Sequence, residues 1–329
     1  MESLKPKIAI IGAGNVGSTF AFSLMMSGLA REIVLIDKNS DLAIGECMDL
    51  NHGVSFAHPT KIYAAGFEGC ENADIIVITA GANQKPNETR TDLVNKNVAI
   101  FKDIVPAIAN YTKDAILLVV TNPVDILTYV TLKLSGFPTN RVIGSGTVLD
   151  TARLKYMISD YAQVDPNNIH GYIIGEHGDT ELPVWNNATI GGMDIETYCS
   201  EYAKHGNAKN ELKEIFLKVK NSAYEIIKRK GATNYSIALS LVKITRAILR
   251  DENSILPVST LVTDYYGVSD VCISIPSIVN IHGVAQYVKI DLSVEEQELF
   301  KHSANTLWGF IKAIELDLND YPQSIQQSF

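Results

Sequence analysis

The segment Lys7-Ile-Ala-Ile-Ile-Gly12-Ala-Gly14-Asn15-Val16-Gly17 constrains this chain more than any other: an apolar, strand-like run enters G-x-G-x-x-G, and an amphipathic stretch from Ser18 to Leu29 follows. Each glycine has its own physical task. Gly12 permits the tight turn, Gly14 lets the backbone approach a pyrophosphate, and Gly17 lets helix pack on strand, while N–H groups at the helix start, around Asn15 and Val16, face the anion. A second strand, Glu32-Ile-Val-Leu-Ile-Asp37, ends in an acid twenty positions after Gly17. An acid there grips a ribose diol and repels a 2′-phosphate, which favours NAD over NADP. A glycine triplet alone is a weak signal and fits a chance turn. Strand, glycines, helix, strand and terminal acid in this order are far more specific.

Short β-rich runs then alternate with helical patterns. Lys7–Ile11, Glu32–Asp37, Lys61–Ala64, Asp74–Thr79, Ala115–Val120 and Arg141–Ile143 read as strands. The alternation predicts an α/β fold of the Rossmann type, a doubly wound parallel sheet with right-handed crossovers that binds ligands at the carboxyl ends of its strands. Three strand ends therefore matter: Gly12–Gly17, Asp37, and the junction opening with Thr79, Ala80 and Gly81 and running to Arg90, polar and long enough to be a mobile lid. The fifth strand ends likewise in Thr121-Asn122-Pro123. Beyond about Ser145 the pattern changes to a helical Thr147–Tyr161, a strand-like Ile169–Ile174, the turn Gly175-Glu-His177-Gly-Asp-Thr180 and a charged helix near Glu211–Lys230. Further β-rich segments follow at Val271–Ile275 and Val284–Ile290, then a helix from Val294 to about Leu316. This predicts an NAD-binding domain over 1–144 and a second, α+β, substrate-binding domain over 145–329, meeting at an extensive interface with a cleft.

At 329 residues, with 46% hydrophobic residues, the chain can bury about two cores. A formal charge of −9 argues against a nucleic-acid partner but leaves room for a local basic pocket for a small anion. Cys47, Cys70, Cys199 and Cys272 are scattered without C-x-x-C, which favours reduced thiols over disulfides or a zinc knuckle. The first strand begins at Lys7, leaving no room for a signal peptide, and no apolar run approaches the length of a membrane span. The expectation is a soluble, cytoplasmic protein with no membrane partner.

His177 lies between an apolar strand and a glycine, on a turn, where an imidazole can act as acid and base. Most histidines in such a chain are surface or satisfied core residues, and the other six show no metal-ligand spacing, so no metal is expected. Asp150 and Arg153, three apart, share a helix face; taken alone they are as readily one exposed ion pair. Arg90 could merely be solvated, and Asn122 could cap a turn. Together they read differently. Hydride transfer between a nicotinamide and a 2-oxo acid needs a carboxylate anchor, a carbonyl polariser, a proton donor and an orienter, and the chain offers a residue type for each.

Through Gly12–Gly17, Ala82-Asn-Gln84-Lys-Pro-Asn87-Glu-Thr-Arg90, Thr121–Leu127, Gly144–Arg153 and Ile173–Pro183 the sequence resembles the L-lactate dehydrogenases of the bacterial kind. The resemblance continues through Lys230–Tyr235, Ile244–Ile248 and Asp270–Pro276, covering nearly the whole chain. It implies pyruvate and lactate as substrates and assigns His177 as the proton donor in reduction, with Asp150 orienting its imidazolium. Arg153 grips the substrate carboxylate through its planar fork, Arg90 polarises the C2 carbonyl, and Asn122 and Thr233 line the site. It also implies a cis bond between Asn122 and Pro123.

Specificity falls on Gln84, where malate dehydrogenases carry an arginine for a second carboxylate; a neutral amide favours pyruvate over oxaloacetate. Asn87 replaces the glycine common in relatives. The resemblance further implies a homotetramer with a fructose 1,6-bisphosphate effector site at a subunit interface, for which this chain has Lys155 and His170. Two residues past Arg153 on a helix, Lys155 points away from the substrate, and an extended Ile169–His177 would turn His170 and His177 to opposite faces. A malate or bulkier 2-hydroxy acid dehydrogenase, or an NADH-binding protein without turnover, are the competing readings.

Overall fold

The apolar runs of the N-terminal half pair as parallel strands, β1 (Lys7–Ile11), β2 (Glu32–Ile36), β3 (Lys61–Ala64), β4 (Ile75–Ile78), β5 (Ile116–Val119) and β6 (Val142–Gly144), in the order β3-β2-β1-β4-β5-β6. The computed structural model describes residues 6–82, 89–203 and 206–314. The strands are apolar almost throughout because helices cover both faces. In β1, Ile8 and Ile10 enter one core with Phe20 and Leu24, while Ala9 and Ile11 enter the other with Phe101 and Val105. Between these strands run α1 (Asn15–Ser27), α2 (Ser40–Gly53), α3 (Arg90–Ala109) and α4 (Val124–Ser135). Chain order reverses between β1 and β4, so the ligand crevice of a doubly wound sheet opens there.

Two helix starts fix site residues. Gly28, at φ +66°, closes α1 by donating to Leu24 and Met25 carbonyls, and α1 opens without a side-chain cap. By contrast, a capping box joins Thr89 and Asp92 at the head of α3 and sets Arg90 as its first helical residue.

After β6 come α5 (Val148–Ala162), the short strands β7 (Ile169–His170), β8 (Ile173–Ile174), β9 (Leu182–Pro183), β10 (Thr189–Ile190) and β11 (Met193–Asp194), then α6 (Ile195–Tyr202), α7 (Ala208–Lys230) and α8 (Tyr235–Leu249). The chain continues through β12 (Ser254–Val262), β13 (Val271–Asn280), β14 (Gly283–Tyr287) and α9 (Val294–Ala313). Strands β12, β13 and β14 run antiparallel and extend the first sheet beyond β6, to nine strands in all.

Several expectations are corrected. The predicted strand Ile169–Ile174 is two strands in different sheets: β7 pairs with β10, β8 with β9, and Gly171 lies in the gap. The premise of one extended run from Ile169 to His177 therefore fails, since each half finds its own partner and Gly175, at φ +92°, turns the chain. Arg141 lies in a 3-10 turn, so β6 starts at Val142. No strand is foreseen at Ser254–Val262, because Pro257 spoils the usual strand signature; it is tolerated here in register with Pro276. Among the described residues no helix is long and apolar enough to cross a membrane, and all four cysteines are buried and unpaired.

Candidate functional site

At the crevice, Gly12 takes φ +107°, a left-handed conformation open mainly to glycine. Its N–H donates to the Ile36 carbonyl at 2.7 Å, and Ala13 N–H donates to Asp37 Oδ2 at 2.7 Å, so the turn is tied to the end of β2. Thr79, following β4, donates from Oγ1 to the Gly12 carbonyl at 2.9 Å. A Cβ on Gly17 would land on that same carbonyl oxygen, and one on Gly12 would press on the Ala80 backbone. At Gly14, a Cβ would meet nothing within 4 Å. That space is what a pyrophosphate requires, and the uncapped N–H groups of α1 at Asn15 and Val16 supply its donors. With the acid at Asp37, the residues fit a dinucleotide.

The neighbouring loops are joined by a residue the sequence reading passed over. Asn97, wholly buried in α3, accepts from Ala82 N–H at 2.7 Å and donates to the Asn122 carbonyl at 2.8 Å. It thereby couples the loop of Gly81 to the cis Asn122–Pro123 turn that opens α4. A polar side chain among apolar neighbours of α3 was the available signal.

Across the crevice, the first turn of α5 carries Asp150, almost fully buried. Its Oδ1 accepts from Arg153 Nη1 at 2.6 Å, and its Oδ2 lies 2.6 Å from His177 Nδ1. One carboxylate thus holds both the guanidinium and the imidazole. The ion pair is not the exposed surface bridge that i,i+3 spacing alone would allow. His177 is placed by its backbone as well: Gly175 bridges to Ser274 of β13, and His177 N–H donates to buried Asp125 of α4 at 2.7 Å.

Charge in this cluster is strongly coupled. Burial alone would push the His177 imidazolium down, but the Asp150 carboxylate, by charge and hydrogen bond, lifts it to about 9. Burial alone would raise Asp150, yet His177 and Arg153 hold it below its usual value. Glu181, also buried, brings its carboxyl into a group with Asp150 and His177 whose ligand-type atoms all lie within 4.8 Å. Burial, then the Asp150 charge, push Glu181 up to about 8. With Nδ1 bound to Asp150, Nε2 is the imidazole nitrogen left to exchange a proton.

Other predicted residues lie elsewhere. Arg90 is held by Glu176, the residue before His177, and its guanidinium carbon sits 5.0 Å from the Phe310 ring centre. Thr233 sits between α7 and α8, where the adjacent Asn234 donates to Thr19 of α1 at 3.0 Å. Lys155 is half-buried, and burial and Lys243 push its ammonium down; His170 is exposed. Gln84 and Asn87 lie outside the described residues. Asp125, Glu176 and Glu181 were missed, although each stands inside a motif quoted above; an acid within an apolar or catalytic motif is a signal of its own.

Comparison with known proteins places this geometry. The family model described as "lactate/malate dehydrogenase, NAD binding domain" matches residues 6–144, and its "alpha/beta C-terminal domain" matches 147–316. The chain is 53% identical to an L-lactate dehydrogenase of Acetivibrio thermocellus over 310 residues, 94% of this chain and 98% of that one. It is 54% identical to one of Priestia megaterium over 301 residues, 92% and 94% of the two chains. Among solved structures, the minor L-lactate dehydrogenase of Enterococcus mundtii superposes with a TM-score of 0.91 at 39% identity, covering 96% of this chain and all of that one.

Proposed function

The chain belongs to the lactate/malate dehydrogenase family, and from this premise we propose that it catalyses the reversible reduction of pyruvate to (S)-lactate by NADH, closing fermentative glycolysis. The observation that carries the reading is Asp150, whose two oxygens bind His177 Nδ1 and Arg153 Nη1, each at 2.6 Å. The bound nicotinamide supplies the hydride. His177, kept cationic by Asp150, donates a proton from Nε2 to the C2 oxygen as it becomes an alkoxide, and recovers it in lactate oxidation. Arg153 takes the substrate carboxylate with its forked donors and fixes which carbonyl face is presented. Arg90 polarises the carbonyl, with Asn122 and Thr233 at the walls.

Residues 1–144, with Gly12, Gly14, Asn15, Val16, Gly17, Asp37, Thr79, Ala80, Gly81 and Asn122, bind the dinucleotide. Residues 145–329 bring Asp150, Arg153, His177 and Thr233 to the substrate. Gln84, lacking charge, admits a methyl group rather than a second carboxylate. The enzyme is further read as a cytoplasmic homotetramer, with fructose 1,6-bisphosphate a weak effector at Lys155 and His170. Initial rates with NADH against pyruvate, oxaloacetate and bulkier 2-oxo acids test the substrate assignment. Pyruvate should have the highest kcat/KM; a preference for oxaloacetate would overturn it.

A further inference from the structure

Glu176 is fully buried, and the proposed chemistry gives it no task. A buried carboxylate without a partner is costly. Its Oε2 accepts from Thr180 Oγ1, and its Oε1 faces Arg90 Nη2. The surroundings are shaped to that guanidinium. Phe310 of α9 lies against it at 5.0 Å, Asp179 Oδ2 stands 3.9 Å from Nη1, and Gly178 lacks the Cβ that would come within 3.2 Å of Nη2. Glu176 is itself fixed, since its N–H donates to Ser303 Oγ of α9 at 2.8 Å and Ser303 lies 3.0 Å from Thr180 Oγ1. The head of α3, the catalytic turn and the C-terminal helix therefore meet at one side chain.

We propose that Glu176 is a positioning residue for the reduction, acting through Arg90: it holds the guanidinium at the edge of the site, oriented toward the carbonyl of the 2-oxo acid. A guanidinium carries five donors in a fixed fork, and one carboxylate oxygen occupies only part of it. Anchoring one arm removes the rotamer freedom that a long side chain would otherwise lose in the transition state. Position alone links Glu176 to His177: the two are adjacent in one turn, where Glu176 holds Arg90 and His177 is bound to Asp150. The inference rests on the role given above to Arg90.

The test is a double-mutant cycle of Glu176→Gln with Arg90→Gln, read by kcat and KM for pyruvate and by NADH affinity from cofactor fluorescence. With Arg90 present, Glu176→Gln should lower kcat by about 10- to 100-fold and leave NADH affinity within about twofold. In the Arg90→Gln background the same substitution should change kcat by less than about threefold, since the side chain it positions is gone. Equal losses in both backgrounds, or an unchanged kcat in the single variant, overturn the proposal. Near-wild-type turnover of Arg90→Gln alone would show instead that the role of Arg90 was wrong, and would remove the proposal with it. If Glu176→Gln does not fold, Phe310→Leu keeps an apolar side chain there and removes the ring under the guanidinium. It should lower kcat about 3- to 10-fold, again only when Arg90 is present; equal effects in both backgrounds would be fatal.

Discussion

Replacing Asp150 by Asn removes the charge that keeps His177 protonated while nearly preserving volume. In the intact site the imidazole is lifted from 6.5 to about 9 against the effect of burial, a preference for the charged form of about 3 kcal/mol at 1.36 kcal/mol per pH unit. The folded value is raised, so the charged form is fully present below 6.5 and is lost as pH rises through about 9. At about pH 7.5 nearly all of the wild-type site should be competent for pyruvate reduction. Without the carboxylate, burial is opposed only by the charges of Glu181 and Asp125, so His177 falls toward its ordinary value of 6.5, where about a tenth of the sites would be protonated at about pH 7.5. Protonation alone therefore predicts a loss of roughly 10-fold in kcat/KM, because this ratio reports the free enzyme. Misorientation of the ring adds to it, and Arg153, freed from Asp150, should weaken pyruvate binding further. The assay is kcat/KM for pyruvate from about pH 5 to pH 10, compared with NADH affinity. The variant's reduction profile should shift to lower pH by at least two units, recovering activity on acidification, while NADH affinity stays near wild type. If the two profiles superimpose after scaling, Asp150 does not set the charge of His177 and the reasoning is wrong.

Gln84→Arg should raise oxaloacetate turnover relative to pyruvate by on the order of a thousandfold, since a desolvated charge match is worth several kcal/mol; a ratio that hardly moves would sink the specificity argument. Gly17→Ala, whose Cβ meets the Gly12 carbonyl, should cost about 1–3 kcal/mol of stability in denaturant unfolding. Gly14→Ala, with open space at its Cβ, should stay within about 0.5 kcal/mol of wild type yet bind NADH about tenfold more weakly; the reverse pattern would move the pyrophosphate elsewhere. Fructose 1,6-bisphosphate should lower the half-saturating pyruvate concentration modestly through half-buried Lys155 and exposed His170. Saturation curves that superimpose with and without it would mean that half-buried Lys155 does not sustain this control.

Local sequence determined much of this protein. The glycine spacing, the apolar runs and the acid at Asp37 depend on covalent geometry and on side-chain periodicities short enough to read along the chain, and they suffice for β1, α1, β2 and the acid at its end. The residues His177, Asp150 and Arg153 were legible as chemical types, and the motifs around them gave the family. Tertiary structure decided what the types do. Asp150 and His177 are 27 residues apart, and nothing local says that one carboxylate holds both the imidazole and the guanidinium, or that the pair is buried. The same holds for Glu176, a turn residue whose partner Arg90 comes from the head of α3, with the Phe310 ring against that guanidinium supplied by α9. The strand Ser254–Val262 was hidden because Pro257 interrupts its pattern, and only the pairing with β13, Pro257 opposite Pro276, reveals it; the run Ile169–Ile174 divided because its halves found partners in two different sheets. Periodicity records which residues are apolar and how they alternate. Which buried charges share a proton, and how far they are pushed from their ordinary values, depends on distances such as the 2.6 Å between Asp150 and His177, far apart in the chain, and these exist only once the tertiary structure is packed.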